Sequence, residues 1–136
     1  MARRRAFPYE SRVTRILVVD DDSDIREVVG EALEFAGYEV ATAREGREGL
    51  ALCRSFRPTL ILLDLMMPGM SGWEFRSAQQ QDPLISTIPV VVVTALGHDP
   101  DIAASAVLAK PFRLDDLLAQ VRRFAGVPAP RIDAHH

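Results

Sequence analysis

Three kinds of side chain in this sequence could act together on a phosphoryl group. Asp20, Asp21 and Asp22 form an acidic run, and Asp64, Thr94 and Lys110 follow at wide intervals, each at the end of a short apolar segment. Carboxylates brought within a few ångströms of one another repel, so they need a shared cation or a retained proton. Oxygen donors with no nearby His or Cys select a hard cation, and few protein ligands supplemented by water suit Mg2+. A cation beside a carboxylate screens the approach of an anionic phosphoryl group. The Lys110 ammonium could pair with a phosphate oxygen and the Thr94 hydroxyl could hydrogen-bond another. Taken singly, each residue has a plainer use. Asp22, Ser23 or Asp24 would cap a helix, Asp64 would serve in a turn, Thr94 would fill a strand, and Lys110 before Pro111 would be a solvated loop residue. The four together, each ending a separate strand, favour the chemical reading.

The elements that must bring them together are legible as hydrophobic patterns. Ile16–Val19, Leu60–Leu63 and Val90–Val93 are unbroken apolar runs too short for helices, as expected of parallel strands buried on both faces. Tyr38–Thr42 alternates like an edge strand, and Ala106–Ala109 is a weaker fifth candidate. Ile25, Val28, Val29, Leu33 and Ala36 recur at helical spacing, with Ser23 as N-cap and Gly37 as stop. Leu114, Leu117, Leu118, Val121 and Phe124 form a second such pattern, and Gly46–Phe56 and Trp73–Gln80 form shorter ones. Alternating strands and helices predict a doubly wound α/β sandwich of three layers. With strand order 2-1-3-4-5, the first and third strands are neighbours at the switch point. Asp20, Asp21 and Asp64 then converge beyond their carboxyl ends, where ligands bind in such sheets.

With 136 residues the chain suits one domain. A net charge of −3 offers no broad basic field, which argues against direct nucleic-acid binding. No apolar run reaches membrane-spanning length, and no signal-length segment follows Arg3, Arg4 and Arg5. The single cysteine, Cys53, cannot form an internal disulfide and sits in a helical apolar pattern, which suggests a reducing, cytoplasmic setting. Residues 1–13 read as a flexible arm, 14–125 as the domain, and 126–136 as a flexible tail in which His135 and His136 are not read as a metal site.

The segments ILVVDDD (residues 16–22), LLDLMMPGMSG (62–72), VTA (93–95) and KPF (110–112) resemble the signature blocks of the response regulator receiver family. The resemblance runs from about Arg15 to Ala125. It implies a flavodoxin-like fold and a phosphorylation-dependent signalling switch that itself catalyses phosphoryl transfer and dephosphorylation. Asp64 would take a phosphoryl group from a sensor histidine kinase or histidine phosphotransfer protein, for relay to a downstream protein partner. It further implies that Asp20 (through water), Asp21, Asp64 and the Met66 carbonyl hold Mg2+, that Thr94 and Lys110 contact the phosphoryl group, and that the Lys110–Pro111 bond is cis.

Two departures from the family pattern stand out. The aromatic residue usual three positions before the lysine is replaced by Val107, so no ring can rotate there on activation. Only 11 residues, 95–105, separate Thr94 from Ala106. With Gly97, His98, Asp99 and Pro100 used in a turn, Asp101–Ser105 leaves about one turn for a shortened fourth helix. That segment is expected to be weakly packed and to become ordered on phosphorylation. Two other classes compete: a Mg2+-dependent aspartyl-phosphate phosphohydrolase and a non-switching interaction module. The first lacks the usual second carboxylate, having Met66 two residues after Asp64, and no catalytic residue is missing to support the second.

Overall fold

The structure is a computed structural model that describes residues 13–128. The elements in order are β1 (Arg15–Val19), α1 (Ser23–Phe35), β2 (Glu39–Ala43), α2 (Gly46–Phe56), β3 (Leu60–Leu63), α3 (Gly72–Gln80), β4 (Val90–Thr94), β5 (Ala106–Ala109) and α4 (Leu114–Ala125). The strands form one parallel sheet in the order β2-β1-β3-β4-β5, as expected. The unbroken apolar runs follow from burial on two faces. Ile16 and Val18 of β1 join Val29 and Leu33 of α1 and Leu117 and Val121 of α4. Leu17 and Val19 point the other way, to Cys53 of α2 and Phe75 of α3. Two helical layers therefore cover the central sheet.

Local signals explain the helix starts. The Asp22 carboxylate accepts from the amides of Asp24 and Ile25, so Asp22 is the N-cap of α1 and the expected cap, Ser23, is its first helical residue. Ser71 and Glu74 make a reciprocal capping box at α3. Strand β2 begins one residue later than its alternating pattern suggested, because Tyr38 turns into the core and donates its hydroxyl to Gly126 O at 2.7 Å. The expected N-terminal arm lies outside the described residues except for Val13. The expected tail lies outside them except for 126–128, where Pro128 approaches Gly37.

The short fourth helix expected between β4 and β5 does not form. Residues 95–105 contain no helical turn. Pro100 disfavours helical dihedrals in the residue before it, and Asp101 sits in the left-handed region with φ of 53°. The segment is nevertheless anchored. Pro100 is buried, Ile102 and Ala104 pack against the core, and Ser105 N–H donates to Val90 O at 2.8 Å. From α3, Trp73 Nε1 donates to Pro100 O and Arg76 Nε to Ala103 O, each at 2.8 Å. The side chain of Val107 on β5 is left exposed.

Gly46 and Gly72 both open helices, which allows a controlled comparison. A Cβ at Gly72 would fall 2.6 Å from Asp64 O and Leu65 Cα, which are backbone atoms that cannot yield cheaply. A Cβ at Gly46 would meet only Met70, at 2.7–2.9 Å; its Sδ and Cγ can swing aside, but its Cβ at 2.9 Å moves only with the loop. Urea denaturation should show Gly72→Ala losing about 2–4 kcal/mol and Gly46→Ala a smaller loss of about 1–2 kcal/mol. Equal losses would mean that the β3–α3 loop adapts as readily as a methionine.

Candidate functional site

The sheet register assembles the site. Val19 pairs with Leu63 across β1 and β3, so the next residues, Asp20 and Asp64, stand side by side where the strands end. The ladder continues past both strands, with Asp20 N–H donating to Ala43 O at 3.0 Å and Asp64 N–H to Val19 O at 2.9 Å. On the other side Thr94 pairs with Ala109, and Lys110 N–H donates to Thr94 O at 2.8 Å. Asp20, Asp64 and Thr94 are buried, at 3%, 4% and 1% exposure, while Asp21 is exposed.

Carboxylate oxygens of Asp20, Asp21 and Asp64 lie within 4.8 Å of one another, a cluster able to hold a metal ion. Lys110 reaches across from the end of β5. Its ammonium donates to Asp20 Oδ2 at 2.8 Å and stands 3.7 Å from Asp64 Oδ2. Backbone groups supply further donors: Asp22 N–H to Asp20 Oδ1 at 2.9 Å and Met66 N–H to Asp64 Oδ1 at 3.2 Å. The Lys110–Pro111 bond is cis.

Burial and the neighbouring Asp20 charge push the Asp64 carboxyl up to about 6, against the opposing pull of Lys110 and the Met66 amide. Burial alone would lower the Lys110 ammonium. The hydrogen bond and charge of Asp20, with Asp64 and Asp22, instead carry it above its ordinary value. The Cys53 thiol, by contrast, is buried and pushed up to about 11, an inert core residue.

Of the residues singled out from the sequence, Asp20, Asp21, Asp64 and Lys110 are brought together, Met66 touches Asp64 through its N–H, and Thr94 ends β4 at the same end of the sheet. Two contributors were not anticipated. Arg26, on the first turns of α1, donates to the Asp20 carbonyl at 2.8 Å. Gly72 lets the loop after β3 fold back beneath Asp64, its N–H donating to Leu65 O at 2.9 Å. A lone arginine on an amphipathic helix carries no mark of such a contact. The glycine lay within the matching motif but was not given a role.

Residues 16–122 match the response regulator receiver domain model. The chain belongs to that family. It is 40% identical over 114 residues to the DNA-binding dual master transcriptional regulator RpaA of Synechocystis sp., an alignment that covers 79% of this chain and 47% of RpaA. The receiver chain thus spans about half the length of such relatives. Among solved structures it resembles the chemotaxis response regulator CheY4 of Vibrio cholerae, with TM-score 0.76, 34% identity and coverage of 82% of this chain and 98% of that one. It also resembles the response regulator TrrA of Thermotoga maritima in complex with Mg2+ and BeF, with TM-score 0.74, 35% identity and coverage of 82% and 99%. No described helix is long and apolar enough to cross a membrane.

The raised Asp64 carboxyl has a consequence for stability. The fold holds this proton more tightly than the unfolded chain, whose carboxyl titrates near 3.8. Ionisation therefore costs stability, and the cost develops as pH rises from about 4 to about 6. In chelator, wild-type stability should fall across that window, while Asp64→Asn should not follow it. At neutral pH the variant should be more stable by about 2 kcal/mol. Chemical denaturation at several pH values checks this. An Asp64→Asn protein no more stable than wild type would show that Lys110 and the Met66 amide already offset the charge.

Proposed function

We propose that this receiver domain, residues 14–125, is a Mg2+-dependent phosphorylation switch whose acceptor is Asp64. The observation that carries this reading is the clustering of Asp20, Asp21 and Asp64 within 4.8 Å with the Lys110 ammonium beside them. The oxygen-only donor set fits Mg2+, with Asp20, Asp21, Asp64 and the Met66 carbonyl as its protein ligands. When bound, the ion would offset carboxylate repulsion and polarise the incoming phosphoryl group. The similarity to TrrA, solved with Mg2+ and BeF, agrees with this assignment.

The donor is a phosphohistidine of a sensor histidine kinase or phosphotransfer protein. An Asp64 carboxylate oxygen attacks phosphorus, the P–N bond breaks, and the imidazole leaves with its electron pair and takes up a proton. Lys110 pairs with one phosphoryl oxygen as negative charge redistributes, and the Thr94 hydroxyl donates to another. Attack by water on the acyl phosphate later returns Asp64 to the carboxylate and releases inorganic phosphate, so the domain resets its own signal. The phosphorylated form acts on a downstream protein partner rather than on nucleic acid directly. The buried, unreactive Cys53 suits a cytoplasmic setting.

Intact mass after incubation with acetyl phosphate and Mg2+ should rise by one phosphoryl group, and Asp64→Ala should abolish the gain. Persistence of the adduct in the variant would overturn the assignment of the acceptor.

Mg2+ alone should raise the melting temperature in a concentration-dependent way, because it binds the folded carboxylate cluster better than the unfolded chain. Asp21→Ala should remove most of that rise. An undiminished rise would place the stabilising ion elsewhere.

A further inference from the structure

We propose that Trp73 and Arg76 are positioning residues of the switch, clamping the helix-free β4–β5 crossover onto α3 and so holding Thr94 ready for the phosphoryl group. The inference rests on the reading of Asp64 as acceptor.

Thr94 is almost wholly buried, and its Oγ1 accepts from Leu96 N–H at 3.1 Å. The hydroxyl rotamer is thereby tied to the first residues of the crossover, while the hydroxyl hydrogen stays free to donate to a phosphoryl oxygen. How firmly Leu96 is held depends on what holds residues 97–105. A crossover helix would fix its own carbonyls by internal bonds, but none forms here. The carbonyls of Pro100 and Ala103 instead accept from Trp73 Nε1 and Arg76 Nε, both at 2.8 Å. The two donors are three residues apart on α3 and so lie on one face of it.

The clamp is itself braced. Arg76 Nη1 donates to Gln79 Oε1 at 2.8 Å, and the fully buried Gln79 donates through Nε2 to Ile85 O and Ile88 O at 2.9 and 3.0 Å. The guanidinium fork thus joins the crossover to the loop before β4 through fixed geometry, which lowers the entropy lost in ordering the arginine. Without the clamp, residues 97–104 keep apolar anchors at Ile102 and Ala104 but lose two directional bonds. Thr94 would then sample rotamers unsuited to phosphoryl contact, and binding would have to select the competent fraction.

Trp73→Phe keeps an aromatic ring and removes the N–H donor. Arg76→Met keeps the aliphatic stem and removes the fork. Calorimetric titration with beryllofluoride at saturating Mg2+ should show each variant binding roughly fivefold more weakly, the equivalent of one net hydrogen bond. Mg2+ affinity should stay unchanged, and amide exchange across residues 97–104 should accelerate. In a Thr94→Ala background neither substitution should weaken binding further, because the clamp acts through that hydroxyl. Should Arg76→Met fail to fold, Arg76→Lys, which can reach one acceptor but not bridge both, should give an intermediate loss. Wild-type affinity in variants whose crossover exchanges faster would overturn the proposal, as would an undiminished loss in the Thr94→Ala background. Failure of the wild-type protein itself to bind beryllofluoride would instead remove the acceptor reading.

Discussion

Everything about this fold's upper edge follows from one electrostatic constraint: three carboxylates gathered where β1 and β3 end. All three lie within 4.8 Å of one another, and at that distance two full charges repel by about 3 kcal/mol in a partly solvated protein environment. The backbone leaves the side chains little freedom to escape, since parallel register sets Asp20 beside Asp64 and ladder hydrogen bonds pin both residues. Compensation has to come from outside β1 and β3. Lys110 supplies a cation from β5, and the amides of Asp22 and Met66 supply dipoles. Burial, with the Asp20 charge behind it, outweighs them, and the Asp64 carboxyl remains raised to about 6. A site left short of positive charge in this way is suited to receive a divalent cation.

The same constraint explains why the lysine sits nearer Asp20 than Asp64. At 2.8 Å it hydrogen-bonds Asp20, and at 3.7 Å it gives Asp64 charge without occupying an oxygen directly. The Asp64 carboxylate thus keeps an oxygen available while its repulsion is partly screened. Arg26 contributes differently, fixing the Asp20 carbonyl and so the turn from β1 into α1. Asp22, the third aspartate of the run, is spent on capping α1 and on donating its amide to Asp20. The acidic run therefore divides its labour between backbone architecture and the site, and composition alone could not apportion it.

Most of the fold and the carboxylates and lysine of the proposed site were legible because they depend on local patterns repeated at strand ends. Two-sided burial makes Ile16–Val19, Leu60–Leu63 and Val90–Val93 unbroken apolar runs, and a parallel sheet brings their three endings and that of β5 to one edge. What was not legible depends on contacts between residues remote in sequence. Ser23 and Asp22 are both good caps, and the choice between them is made by which side chain faces the free amides of the first turn. The crossover was correctly read as short, but not as helix-free. Its backbone is satisfied by Trp73 and Arg76, 27 residues away, and no local propensity encodes that. The expectation of weak packing there likewise missed the burial of Pro100 and the anchoring of Ile102 and Ala104.

This substitution of side-chain bonds for a helix changes the routes by which the site can communicate. Val107 and Ala109 on the outer face of β5 are exposed and small, so neither offers a ring or a long lever with two discrete positions. Besides its ladder bond to Lys110, Thr94 has a route out through Leu96 N–H into the crossover, and that segment's polar contacts lead into α3. From α3 the bonds continue through Arg76 and Gln79 to the carbonyls of Ile85 and Ile88, beside the exposed Leu84. A bonded path is not by itself a coupling, which needs an element with two alternative arrangements. Among the elements next to Thr94, the crossover best meets that need: it has few internal bonds, two removable anchors and no helix to melt. With no aromatic at position 107 and no crossover helix, the movable part of the proposed switch would lie beside the sheet rather than within β5.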